Sequence, residues 1–319
     1  MRNEDIKYDV IIPVYKPDER LKHIVKRLLR QTLPPQRIVL INTGREYFEK
    51  AFAGDDFFDS CEKILLRHIS EEQFDHGGTR RLGVSYSKAD YFLCMTDDAL
   101  PLDPYVCERL LAPLAEGKAQ VSYARQLAGA ESDLSERFSR RFNYPAQSRI
   151  KTAADLSEMG IKAFFCSNVC AAYQRSTYEA LGGFEKHMIF NEDMVYAGRL
   201  LDSGGAIAYV AEARVLHSHH YSAMQQLRRN FDLGVSQAQF PELFERVSSA
   251  SEGVRLIRGM SGKLLRSGQA AKIPGIFVYN GCKYLGYQLG KHYKKIPEKW
   301  IMKLTMNGKY WRKKLCVES

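Results

Sequence analysis

Tyr91-Phe92-Leu93-Cys94-Met95 is an unbroken apolar and aromatic run that ends in Thr96-Asp97-Asp98 and then Pro101. Such a run, closed by turn signals, predicts a strand buried on both faces, as at the centre of a parallel sheet. Open α/β sheets hold ligands just beyond the carboxyl ends of their strands, which is where Asp97 and Asp98 stand. Two adjacent carboxylates repel each other unless a cation lies beside them. Hard divalent cations such as Mg²⁺ or Mn²⁺ take oxygen ligands and bridge onward to phosphate oxygens. A solvated Asp-Asp turn is the plainer reading, and the rest of the chain decides between them.

The neighbouring segments repeat the pattern. Asp9 to Tyr15 reads as a buried strand stopped by Lys16-Pro17, and Asp18 caps a helix to about Arg30 with Leu21, Ile24, Val25, Leu28 and Leu29 on one face. Arg37 to Asn42 is a second strand, ending at Thr43-Gly44, and Lys63 to Ile69 a third. A loop from Glu71 to Gly78 and a helix from Thr79 to Ser87 then lead into the central strand. This alternation predicts an α/β fold with a mostly parallel central sheet flanked by helices. A helix to Ala115 and a strand from Gln120 to Ala124 follow, then a polar stretch, residues 125–162, expected as a long functional loop. Ala163 to Tyr173 is the next apolar segment, and Asn191-Glu192-Asp193 opens a helix to Ser203. Strands Ala206–Val210 and Arg214–Leu216 deliver His217-Ser218-His219-His220, and the chain reads as mostly helical from Ser222.

Charge is unevenly placed. Residues 251–319 hold 15 Lys and Arg against Glu252, Glu298 and Glu318, so this stretch carries +12 and the rest of the +10 chain carries −2. Aromatic residues from Phe277 to Trp311 are interleaved with these cations. A basic, aromatic helical tail suits an anionic membrane surface, or else forms a lid with a solvated basic face. Nucleic acid is not the expected partner, because no helix-turn-helix or RNP-like pattern accompanies the charge. The apolar runs are strand-sized, well short of the ~20 residues a membrane span needs. The first residues, Met1 to Asp9, are charged and lack a signal-peptide core, and the seven scattered cysteines lack a CxxC pair. Reduced thiols in a cytoplasmic protein are expected.

Four features in order, Pro13-Val14-Tyr15, Arg80 after Gly77-Gly78, Thr96-Asp97-Asp98, and Gly182-Gly183-Phe184 followed by Glu192-Asp193, resemble the inverting family 2 glycosyltransferases of GT-A fold, over residues 8–235. A narrower set is similar to bacterial dTDP-rhamnosyltransferases of polysaccharide assembly: Phe74 to Arg80, Asn143-Tyr144-Pro145, Ser167-Asn168-Val169, Asn191 to Met194, His217-Ser218-His219 and Arg228 to Val235. The resemblance implies a catalytic domain over 1–235 and a helical, basic and aromatic, membrane-associating extension over 236–319.

It also implies roles. Asp193, at a helix start where the macrodipole favours its anion, is the expected base that deprotonates the acceptor hydroxyl, with Glu192 beside it. Asp98 matches the last acid of the family's DxD motif and is the expected Mg²⁺ or Mn²⁺ ligand. Thr96 stands in place of the first acid, so Asp97 or water fills in. His217 and His219 point the same way along an extended segment, and His217 is expected to complete the metal shell. Tyr15 is placed to stack on the base and Arg80 to reach the base or phosphates, with Pro13, Thr43 and Asp97 completing the nucleotide-sugar site. No acid follows the second strand at Asn42-Thr43-Gly44, where the family has one. The implied donor is dTDP-rhamnose and the implied acceptor a saccharide on a polyprenyl diphosphate. That places the enzyme in the cytoplasm, peripherally bound to the anionic inner face of the bacterial plasma membrane. A UDP-hexose donor on the same fold and a non-catalytic scaffold are the competing readings.

Overall fold

Residues 6–218, 221–247 and 250–318 are described in a computed structural model of the chain, so His219 and His220 lie outside the described residues. Nine strands form one sheet: β1 (Tyr8–Tyr15), β2 (Arg37–Thr43), β3 (Ile64–Ile69), β4 (Tyr91–Met95), β5 (Leu100–Pro101), β6 (Val121–Leu127), β7 (Arg149–Lys151), β8 (Cys170–Gln174) and β9 (Ile207–Leu216). The order is β3-β2-β1-β4-β8-β6-β9-β5, with β7 on β9. The first four strands pair in parallel, as their uniformly apolar sequences require. β8 enters antiparallel between β4 and β6, while β6 and β9 run parallel. The sheet is therefore mixed, with its longest registers parallel.

Alternate residues of these strands feed opposite faces. Val10, Ile12, Leu40, Leu93 and Met95 pack with the helices Glu19–Leu29 and Val106–Ala115. Ile11, Ile41, Phe92 and Cys94 pack on the other face with the helix Glu192–Asp202. Both faces being covered, the ligand-accessible part of the sheet is its carboxyl edge.

Some segments differ from the sequence expectation. The helix expected from Thr79 begins at His76, because the Asp75 carboxylate accepts from the Gly78 N–H and caps it earlier. Residues 125–162 are not a loop. β6 runs on to Leu127, a helix spans Leu134–Asn143, and β7 adds an edge strand. That helix escapes a hydrophobicity pattern because most of its residues are polar, and Asp133 caps it by accepting from the Glu136 N–H at 2.7 Å. The two strands expected after Gly205 are one, β9, with a register irregularity against β6 between Ala124 and Arg125. Within Ala163–Tyr173 only the end from Cys170 is strand.

Residue 235 lies inside the helix Ala223–Ala238, and the helix Ile273–Lys291 crosses this one backbone to backbone. A Cβ on Gly286 would sit 2.1 Å from the Leu227 carbonyl oxygen, and one on Gly290 2.1 Å from that of Phe231. Asp232 of the first helix ties in the segment beyond the crossing helix, accepting from Thr305 Oγ1 at 2.6 Å and from the Met306 N–H at 2.9 Å. Phe231, Val235, Tyr293, Ile301 and Trp311 bury together beside it. Phe277, Val278, Tyr284 and Leu285 on the crossing helix stay exposed. Among the described residues no helix is long and apolar enough to cross a membrane.

Candidate active site

Two adjoining cavities open where the carboxyl ends of the strands meet the helical tail. The first, of about 540 Å³, is lined by Tyr15 and Thr43 at the tips of β1 and β2 and by residues 306–309 and Arg312 from the tail. The Tyr15 hydroxyl donates to Glu71 Oε1 at 2.9 Å, the Tyr47 hydroxyl to the same oxygen at 3.3 Å, and Lys309 pairs with the other oxygen of Glu71. Tyr15 stands edge-on to Tyr47 with centroids 5.7 Å apart and is 44% exposed, leaving its ring available to a planar ligand. Thr43 is buried and its Oγ1 has no hydrogen-bond partner in the protein, a polar group that a ligand would satisfy. Pro13 pairs with Ile41 inside the sheet and lines neither cavity, so its contribution is to the path of β1 toward Tyr15.

The second cavity, of about 480 Å³, contains Asp193, Glu192, Arg80, Asn168, Thr96 and His217. Asn191, just ahead of the helix Glu192–Asp202, is held in the left-handed region at φ 64° and turns both carboxylates inward. Asp193 Oδ2 accepts from the Asn168 N–H at 3.0 Å, and Asn168 Nδ2 donates to Glu192 Oε1 at 3.0 Å. Arg80 Nη1 lies 3.0 Å from the same Glu192 oxygen, and both side chains are buried. Burial pushes Glu192 up, but Arg80, His76 and the Asn168 bond outweigh it and hold the carboxyl below its usual range. Asp193 goes the other way: burial, then the charge on Glu192, push it up to about 7. A carboxylate at that value is matched to taking a proton near neutral pH. Arg80, expected at the nucleotide, is instead engaged by Glu192 and by the His76 carbonyl at 3.1 Å.

Asp97 and Asp98 diverge. Asp97 Oδ2 accepts from the Tyr15 N–H at 3.1 Å, and burial, with Asp98 adding to it, pushes this carboxyl up to about 6. Asp98 Oδ1 faces His217 Nε2 at 3.5 Å, across 119 residues of sequence. His217 Nδ1 lies 3.0 Å from Gln126 Oε1. Arg140 Nη2 lies 3.1 Å from the same Nδ1 and can only donate, so that bond makes Nδ1 an acceptor and leaves the ring proton on Nε2 toward Asp98, from where a bound cation would displace it. One carboxylate and one imidazole suit a cation that keeps waters and phosphate oxygens for its remaining positions. Among the described residues no group of three or more His, Cys, Asp or Glu forms a closed metal cage.

The profile of glycosyl transferase family 2 matches residues 9–182. The O-antigen chain rhamnosyltransferase RfbN of Salmonella typhimurium is 32% identical over 308 residues, covering 96% of either chain. The chain belongs to glycosyltransferase family 2. WbaN of Salmonella anatum, also named an O-antigen chain rhamnosyltransferase, is 32% identical over 95% of both chains. In fold, this glycosyltransferase is similar to the Pyrobaculum calidifontis mannosyltransferase PcManGT, solved with GDP-Man and Mn²⁺, at TM-score 0.59, 12% identity and coverage of 91% and 88%. TarS of S. aureus, residues 1–349 with UDP-GlcNAc, aligns at 0.51 with 10% identity and coverage of 91% and 92%. These neighbours give the transferase its GT-A fold, as expected from the sequence.

Some residues that shape the transferase's site had no assigned role in the sequence. Asn168 bridges both acids, and its own Oδ1 accepts from the buried Tyr173 hydroxyl at 2.7 Å. It carries no charge and no periodic signal, and only its place in Ser167-Asn168-Val169 marked it. Glu71 and Lys309 meet across 238 residues, which no local pattern reveals.

Proposed function

We propose that this family 2 glycosyltransferase moves L-rhamnose from dTDP-rhamnose, with inversion, onto a saccharide acceptor carried on a polyprenyl diphosphate. The observation that carries the mechanism is the pairing of the two cavities, one with a ring and an unsatisfied hydroxyl for a nucleoside, the next with a buried carboxylate near neutral pKa. The identity of its curated relatives, alike from end to end, supports rhamnose as the sugar.

In this reading Tyr15 stacks on the base and Thr43 Oγ1 bonds the nucleoside. Asp193 takes the acceptor proton as the oxygen attacks the anomeric carbon from the face opposite the leaving diphosphate. Glu192 keeps Asp193 basic by its charge, and Arg80 and Asn168 keep Glu192 charged and fixed. Asp98 and His217 are the residues that would hold a divalent cation, which when bound supplies positive charge to the donor's diphosphate. Asp97 orients Tyr15 through its backbone.

The basic extension carries exposed Phe277, Leu285 and Trp300, which supports docking on the anionic inner membrane surface, where a lipid-linked acceptor resides. The catalytic unit 1–235 then works with 236–319 as its membrane-facing partner.

The test is transfer from dTDP-rhamnose to a synthetic polyprenyl-diphosphate saccharide, with the product's anomeric configuration read by NMR. An inverted rhamnoside is expected. Turnover of UDP-hexoses alone would move the donor assignment, and turnover of no nucleotide-sugar would end the catalytic reading.

A further inference from the structure

His76, Phe190, Tyr221 and Arg229 line both cavities, and Arg229 is the member of this shared wall with a permanent charge. It extends from the helix Ala223–Ala238, with its guanidinium 4.7 Å from the centroid of the Phe190 ring. Lys283 reaches the second cavity from the crossing helix, its ammonium 5.0 Å from the Tyr279 ring centroid. Arg140 is a third cation on that cavity, 3.8 Å from Glu136. No ion pair among the described residues joins Arg229 or Lys283 to a carboxylate; Arg229 bonds the Tyr221 side chain and faces Phe190, and Lys283 faces Tyr279.

These like charges disfavour one another. Burial, and then Arg140, hold Arg229 below the usual guanidinium range. Burial, then Arg229, bring Lys283 down to about 8, with Asp133 offsetting part of the effect. The carboxylates of this cavity pair elsewhere or face Asn168, so Arg229 and Lys283 lack a direct counter-charge, and an entering anion would supply one.

We propose that Arg229 and Lys283 form a diphosphate subsite at the junction of the two cavities. It rests on the glycosyl-transfer reading and assigns that reaction a second bank of positive charge. A donor with its nucleoside at Tyr15 and its sugar at Asp193 must pass its diphosphate across the shared wall, where Arg229 stands. A planar guanidinium binds two phosphate oxygens at once, and the lysine adds a point charge. The substitution of Thr96 for an acid lightens the carboxylate side of the site, and preorganised cations on the opposite side neutralise the leaving diphosphate without reorganisation. The same chemistry also suits the diphosphate of a lipid-linked acceptor entering beside Asp193.

Calorimetric titration of the full chain with inorganic pyrophosphate tests the subsite. Arg229→Gln and Lys283→Gln should each weaken pyrophosphate binding by about 10–100-fold, while Arg229→Lys retains most of it. Binding within twofold of the parent in both glutamine variants overturns the proposal, as does a parent chain that binds no pyrophosphate. If circular dichroism shows Arg229→Gln unfolded, Lys283→Gln and Arg229→Lys carry the decision. The source is read in parallel. Weaker dTDP with unchanged thymidine identifies the donor's diphosphate. Unchanged dTDP, with KM raised for a polyprenyl-diphosphate saccharide but not for the free saccharide, identifies the acceptor's. Normal pyrophosphate binding by a parent chain that turns over no nucleotide-sugar leaves the subsite standing and removes the glycosyl-transfer reading instead.

Discussion

The Asn168 N–H donates to Asp193 Oδ2 at 3.0 Å while its side chain donates to Glu192, so one residue fixes the spacing of two adjacent buried acids. Asp193→Asn should lower turnover by about 10²–10⁴-fold with donor affinity unchanged, because the carboxylate acts on the acceptor proton. In the parent enzyme the rate should climb with pH through about 7 and level off above it, since the base works deprotonated. Stability should run oppositely. Asp193 binds its proton more tightly folded than at its ordinary 3.8, so stability is lost as pH rises from about 4 through about 7. Thermal melts of Asp193→Asn against the parent should show the larger gain at pH 8 than at pH 5. A flat pH–rate profile would remove Asp193 as the base.

Arg80→Gln strips Glu192 of its cation where both side chains are under a tenth exposed. A buried carboxylate left unpaired costs about 3–5 kcal/mol, which chemical denaturation reads directly. Nucleotide affinity of the remaining folded protein should change little, since the guanidinium is turned to Glu192. A selective loss of nucleotide binding at full stability would return Arg80 to the donor.

Asp98→Ala and His217→Ala should each weaken Mn²⁺ binding in the presence of dTDP, by at least about 10–100-fold, as ligand-supporting groups do. Mn²⁺ electron paramagnetic resonance reports the bound fraction without relying on turnover. Gln126→Leu, which removes a polar neighbour of His217 Nδ1 and no expected ligand, should give a smaller loss. Equal Mn²⁺ binding in all three variants would move the cation elsewhere.

Gly290→Val must push apart a pair of helices whose backbones are in contact, at a cost of at least about 1–3 kcal/mol in overpacking. Donor KM should rise with it, because the same helix pair carries Arg229 and Lys283. Gly268→Val, where an added side chain meets no atom, is a poor control because its φ is +70°; Gly281→Ala, on the open face, should be near neutral.

The parallel half of the sheet was readable because strands covered on both faces must be apolar throughout, and Asp18 and Pro34-Pro35 mark the ends of its first helix. The Asp98–His217 pairing was within reach because alternation along an extended segment assigns His217 a face. What escaped depends on tertiary packing. The helix Leu134–Asn143 is polar, and its Phe138 packs with Met260, Leu264 and Ile276 from helices far along the chain. The Arg80–Glu192 ion pair was not legible either, because Glu192 comes near only when the sheet is assembled.

The first cavity joins Tyr15 to residues 306–309 and Arg312. While the ribosome is still adding the intervening chain, β1 and β2 exist but the wall opposite them has not been made. The far wall of this cavity is therefore completed only when that late segment has been made and has docked.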